Sequence, residues 1–85
     1  MTYELEYSEI ALEELERLEK DTQERVVYSL ERIRIRPYPH IKRLVGCPYF
    51  SFRIGKLRAI LEIKEDKLLI LVMRIGHRKN IYKEL

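Results

Sequence analysis

Phe50-Ser-Phe-Arg-Ile54, Gly55-Lys56, Leu57-Arg-Ala-Ile-Leu-Glu-Ile-Lys64, Glu65-Asp66 and Lys67-Leu-Leu-Ile-Leu-Val-Met-Arg-Ile75 follow one another without a break, and this run decides the fold. Three stretches rich in aliphatic and aromatic residues are parted by short polar pairs suited to reverse turns, which predicts a meander of three antiparallel strands. In the middle strand Leu57, Ala59, Leu61 and Ile63 share one face, assigned to the core, while Lys56, Arg58, Ile60 and Glu62 face the other way. From Leu68 to Met73 every position is apolar, so the last strand carries an apolar stripe on the face away from the core as well. Such a stripe fits a protein partner, unless a tyrosine or the C-terminal tail shields it.

The turn sets the register. A two-residue turn at Gly55-Lys56 places Ile54 opposite Leu57 and Arg53 opposite Arg58 on one face. Like charges directly across a ladder are unfavourable by roughly 0.2–1 kcal/mol, which makes sense if an anion comes between them; otherwise the guanidinium groups splay into solvent or meet Glu62. A three-residue turn would put the two arginines on opposite faces.

Upstream, Thr2 to Tyr7 alternates in the manner of a half-buried strand with Tyr3, Leu5 and Tyr7 inward. Ser8 suits a helix cap, followed by a stripe of Ala11, Leu15 and Leu18 with glutamates opposite. A second helix is predicted from about Asp21 to Arg34 on the spacing of Val26, Leu30 and Ile33, ended by Pro37 and Pro39. The link between the helices is short enough for an antiparallel hairpin, and a loop runs from His40 to Pro48. The expected fold is α+β, in the order β-α-α-β-β-β, with the helix hairpin on one face of a four-stranded, mainly antiparallel sheet.

The 85 residues, 46% of them apolar, make one domain over residues 1–85 with a single modest core. Cys47 is the lone cysteine and is read as structural. Met1 to Ile10 lacks the basic and apolar regions of a signal peptide, and no apolar segment approaches the roughly 20 residues of a membrane span. The expectation is a cytoplasmic protein with no membrane role.

Charge is segregated. Residues 1 to 31 hold ten acids and three bases, a net of −7, whereas residues 32 to 85 hold fourteen bases and four acids, a net of +10. A basic field of that kind attracts phosphate backbones, although an acidic helix beside a solvated basic surface would look the same.

The basic end closes on Arg74-Ile-Gly-His-Arg-Lys-Asn-Ile-Tyr82. A strand that delivers His77, Arg78, Lys79 and Tyr82 to its exit places two proton carriers among cations. With His40 and His77 the only histidines, no metal-ligand spacing is present, and neither a phosphate loop, a serine elbow nor a catalytic carboxylate pair occurs. No metal and no cofactor are expected. Cleavage of RNA by its own 2′-hydroxyl needs a base for that hydroxyl, cations for the phosphorane and an acid for the departing 5′-oxygen. A tyrosine titrates near 10 in isolation, and cations such as Arg78 and Lys79 lower that value; an imidazole such as that of His77 can carry a proton near neutral pH. Tyr82 as an ordinary tail aromatic is the competing view. Arg74 has the parity of Val72 and must snorkel out from the core face.

The order of elements, with Phe52-Arg-Ile-Gly-Lys-Leu-Arg58 and with Leu71-Val-Met-Arg-Ile-Gly-His-Arg78 followed by Tyr82, resembles the RelE/ParE toxin superfamily, on its RelE side. The resemblance spans nearly the whole chain, and its most specific part is the Gly-His-Arg run ending the last strand. It implies the toxin of a toxin-antitoxin pair, a ribosome-dependent, metal-independent endoribonuclease that cuts mRNA in the A site, leaves a 2′,3′-cyclic phosphate and a 5′-hydroxyl, and is neutralised by a RelB-like antitoxin. By position it implies that Arg58 stabilises the transition-state phosphate, that Arg78 stabilises it or assists the leaving group, that Tyr82 acts as base with His77 sharing proton transfer, and that Arg53 holds mRNA or ribosomal RNA; Lys56, Lys79 and Arg74 are further candidate RNA-binding residues at the same basic end. The chain departs from its relatives where they carry lysines, at Tyr49 and Ser51, and the Arg78 to Tyr82 spacing is short; Lys56 or Arg53 is the expected substitute for those lysines. Two other readings remain, a non-catalytic gyrase poison of the ParE type and an RNA-binding module without scission.

Overall fold

The computed structural model describes residues 2–77. Its elements are β1 (Glu4–Tyr7), α1 (Glu9–Glu16), α2 (Lys20–Arg32), β2 (Lys42–Arg43), β3 (Phe50–Ile54), β4 (Leu57–Lys64) and β5 (Leu69–His77), with single 3₁₀ turns at Tyr38–His40 and Glu65–Lys67. The sheet runs β1-β5-β4-β3-β2; β1 lies parallel to β5, and every other pair is antiparallel. The α+β layout is the one expected, with five strands in place of four. The fifth is β2, inside the stretch read as a loop. Two residues carry no periodicity to read, and β2 forms because Gly46, at φ +80°, helps turn the chain back so that Lys42 and Arg43 pair with Ser51 and Phe50.

The helices form where cap and stripe dictate. Ser8 accepts from the amide of Ala11 (3.0 Å) and gives its own hydroxyl proton to the carbonyl of Met73 (2.8 Å), so the cap of α1 also fastens that helix to β5. Ala11 is fully buried there. In α2 the stripe of Val26 and Leu30, continued by Ile33 just past its end, is buried against the sheet as its spacing requires. Gln23 of α2 donates to the carbonyls of Glu16 (3.1 Å) and Leu18 (2.9 Å), satisfying acceptors that the end of α1 leaves open. The link between the helices is thereby held short.

Tyr3, Phe52, Ile54, Leu57, Ala59, Leu61, Ile70, Val72 and Ile75 complete one core beneath the helices. Leu57, Ala59 and Leu61 occupy the face assigned to them, while Ile63 is half-buried at the edge of the same cluster. Ile60 is also fully buried, although it belongs to the opposite face and lies outside that cluster. Next to it the ladder slips: Ile60 pairs with Arg74 but Leu61 pairs with Val72, so Met73 is the extra residue of a β-bulge. On the face away from the helices Leu69 and Leu71 are half-buried, less open than the expected stripe.

Glu65 ties three segments together. Its carboxylate accepts from the phenols of Tyr3 (2.7 Å) and Tyr38, and Tyr38 packs edge-on against Phe50 at 5.8 Å. The two phenol donors hold the carboxyl below its usual 4.5, and both phenols are pushed upward, Tyr3 chiefly by its bond to Glu65 and Tyr38 chiefly by burial. A carboxylate favoured in the folded state adds stability above its unfolded pKa and loses it as the pH falls through the folded value. The melting-temperature gap between the unmodified chain and Glu65→Gln is therefore expected to be full at neutral pH and to close in acid, as calorimetry from pH 7 to about pH 2 would show. Leu61→Ala, at the centre of the core, is expected to cost about 2–5 kcal/mol in denaturant unfolding.

Candidate nucleic-acid interface

The face of the sheet away from the helices is basic at its β2–β3–β4 side. Gly55 adopts φ +59° while Lys56 keeps an ordinary φ, as a two-residue hairpin turn with glycine first requires. The resulting register sets Arg53 opposite Arg58, as the two-residue reading predicts, and Ser51 opposite Ile60. Arg58 reaches diagonally to give one guanidinium proton to the hydroxyl of Ser51 (2.9 Å), and its Nε is buried with no acceptor among the described residues. Arg53 is exposed and, among the described residues, makes a long contact from its Nε to the carbonyl of Gly55 (3.4 Å). Among the described residues the ion pairs are Arg34–Glu31 and Arg74–Glu14, so neither Arg53 nor Arg58 meets a carboxylate.

Around the hairpin lies a cleft of about 840 Å³, bounded by the α1–α2 link, the first turns of α2 and the tips of β3, β4 and β5. Leu18, Val26, Ile54 and Leu57 line it with apolar surface; Arg17, Arg25, Arg53, Lys56, Arg58 and His77 border it, against one carboxylate, that of Glu19. The guanidinium of Arg25 comes up to the turn, close enough that a Cβ at Gly55 would stand 3.9 Å from it. Neither Arg17 nor Arg25 is apparent from the charge pattern, because both sit in the acidic first third. The tight helix link carries them across to the basic end, and their position flanking that link was the available signal.

Of the residues singled out in the sequence, Arg53, Lys56, Arg58 and His77 meet at this end of the molecule. The pleat separates them. His77 pairs with Leu57 and so shares its helix-side face, whereas Arg58 pairs with Gly76 on the other face. Arg74 is a correction. The bulge at Met73 breaks the parity that linked it to Val72, and Arg74 instead grips Glu14 of α1 through Nε (3.2 and 3.3 Å) and Nη2 (3.0 Å), away from the cleft. The same carboxylate accepts from the amide of Ile75 (2.9 Å). Arg78, Lys79 and Tyr82 lie outside the described residues. Tyr49 is half-buried, and Ser51 is buried. Opposite Ser51, on the same face as the two arginines, stands Lys42 of β2, a cation the sequence pattern did not single out.

A paired-arginine face with unneutralised charge, beside a cleft bordered by further cations, can hold a polyanion and stabilise charge that develops on one of its phosphates.

Comparison with known proteins bears on both fold and family. A family model described as the ParE toxin of type II toxin-antitoxin systems, parDE, matches residues 5–82. The chain is similar to the toxin in the RelBE2 toxin-antitoxin complex of Mycobacterium tuberculosis, with a TM-score of 0.82 and 22% identity over 92% of this chain and 100% of that one. The archaeal RelE-RelB complex of Pyrococcus horikoshii gives 0.80 and 20% over 94% and 99%, and the isolated RelE toxin of Escherichia coli gives 0.77 and 24% over 96% and 93%. No curated protein matches.

Glu14→Ala removes the Arg74 pair and the Ile75 amide bond together, whereas Arg74→Ala leaves the amide bond in place. Both groups are largely buried, so Arg74→Ala is expected to cost about 1–3 kcal/mol and Glu14→Ala more. Arg25→Gln, with no ion pair to lose among the described residues, is expected to stay within about 0.5 kcal/mol. Urea unfolding of the three variants checks the order.

Proposed function

The chain belongs to the ParE toxin family of type II toxin-antitoxin systems, and from that premise we propose that it is a RelE-type toxin, a ribosome-dependent endoribonuclease that cuts mRNA in the A site in the cytoplasm and so arrests translation. The observation that carries this reading is the pairing of Arg53 and Arg58 across the ladder with no carboxylate of the described residues within reach of either. Like charges held face to face have a use where a phosphate arrives between them.

In the proposed reaction the 2′-hydroxyl attacks the adjacent phosphorus, and the bond from phosphorus to the 5′-oxygen breaks. A 2′,3′-cyclic phosphate and a 5′-hydroxyl result. The proton of the 2′-hydroxyl passes to Tyr82 or His77, and the departing 5′-oxygen takes one up from the group so protonated or from water. Arg58 and Arg78 offset the second negative charge that develops on the phosphorane, where preorganised donors act most strongly. Arg53 and Lys56 hold the flanking backbone. Solved relatives of this fold are complexes of RelE with RelB, and a RelB-like antitoxin is the proposed partner, its acidic residues covering the same basic end.

The family model's ParE description favours a second reading, in which the scaffold poisons DNA gyrase and cleaves nothing. Primer extension on a defined mRNA in a translating extract separates the two. The unmodified protein is expected to cut at A-site codons, and Arg58→Ala and Arg78→Ala are each expected to lose about 10² in rate. Cutting retained in both variants would overturn the mechanism. An absence of cutting together with inhibited DNA supercoiling would establish the gyrase reading.

A further inference from the structure

We propose that Lys42 is a phosphate-binding residue of the basic sheet face and that it grips single-stranded RNA backbone next to Arg53 and Arg58. The inference deepens the ribonuclease reading and rests on it for the identity of the ligand as RNA. Lys42 lies in the two-residue strand β2 directly opposite Ser51, and directly opposed residues share a face with Cβ atoms about 4.5–5.5 Å apart. Arg53 is two residues from Ser51 along β3, and Arg58 is hydrogen-bonded to the Ser51 hydroxyl. Three cations thus surround one small neutral side chain.

Two features of that arrangement point to an anion. Among the described residues the Nε of Arg58 is a buried donor with no acceptor, an unfavourable state that a phosphate oxygen beside Ser51 would relieve. Lys42, exposed, has no carboxylate within ion-pair reach among the described residues. Ser51 is only 4% exposed and is engaged by Arg58, so it brings no charge to its own place in the sheet. The neighbouring strand brings it instead. An edge-strand lysine also guards against edge-to-edge pairing of sheets, and that role alone would leave RNA binding untouched.

Arg43 supplies the internal control. It has the same charge and follows Lys42 in the same short strand, but it pairs with Phe50 and lies over that ring at 5.6 Å, on the opposite face. The experiment measures affinity of the full chain for a single-stranded RNA oligonucleotide carrying 2′-O-methyl groups, which cannot be cut, over a series of salt concentrations. Lys42→Gln is expected to weaken binding several-fold and to shallow the slope of log K against log salt by about 0.7, one phosphate's worth on a single strand. Lys42→Arg should restore most of the affinity, and Arg43→Gln should leave affinity and slope near those of the unmodified chain. Equal losses in Lys42→Gln and Arg43→Gln would mean that only overall charge matters and would overturn the proposal, as would an unchanged Lys42→Gln or an unmodified chain that does not bind the probe. Because the probe cannot be cleaved, this readout is separate from cleavage: loss of cleavage by the unmodified chain would remove the ribonuclease reading without altering what the binding series says of Lys42.

Discussion

The left-handed turn at Gly55 is the constraint on which the rest of the structure depends. It lets the chain reverse in two residues, and from that count follow the pairings of Phe52 with Ala59 on the core face and of Arg53 with Arg58 on the other. A slip by one residue would put the two arginines on opposite faces, turning one of them toward the helices and exposing the core residues of its strand, Phe52 of β3 or Leu61 of β4. Exposing a buried Phe or Leu costs about 1.5–3 kcal/mol each, whereas facing like charges across a ladder costs roughly 1 kcal/mol at most. Burial wins, and the arginine pair is held in place by the hydrophobic residues on the reverse side.

The bulge at Met73 does for β5 what the turn does for the hairpin. Without it the alternation from Ile70 and Val72 would carry Arg74 into the core and Ile75 out of it. With it Ile75 is buried and Arg74 is freed to reach Glu14. Glu14 accepts from the Ile75 amide as well as from Arg74, so α1, β5 and the bulge are held as one unit, and the Ser8 bond to the Met73 carbonyl supports it from the other end of the helix. The residues after the bulge, Gly76 and His77, are thereby set beside Arg58 and Leu57. Gly76 itself contributes no side chain across from Arg58.

Charge follows from these positions more than from the count of acids and bases. The chain is dipolar in sequence, but the short link between α1 and α2 carries Arg17 and Arg25 toward the hairpin, where they border the same cleft as Lys56 and His77. The sheet face adds Lys42, Arg53 and Arg58. A field built from two walls in this way can follow a backbone around the end of the sheet, with strength that falls as salt rises.

The order of the main elements, the Ser8 cap, the apolar stripe of α2 and the facing of Arg53 and Arg58 are all legible in the sequence, because each rests on local periodicity or on the chemistry of one turn. So is the family, from the run ending the last strand. The two-residue strand β2 is not legible, nor is Lys42 within it, since two residues have no period and acquire a face only by pairing with β3. Arg25 is hidden among acids until the helix link folds, and Arg74 changes allegiance at a bulge that leaves no mark in the pattern. What the sequence determined by itself is therefore what neighbours along the chain can specify, through side-chain spacing, capping and backbone φ. What only the tertiary structure decided is which charges share a face, because register, bulge and helix packing are settled by burying the apolar residues, and the cations go where that burial leaves them.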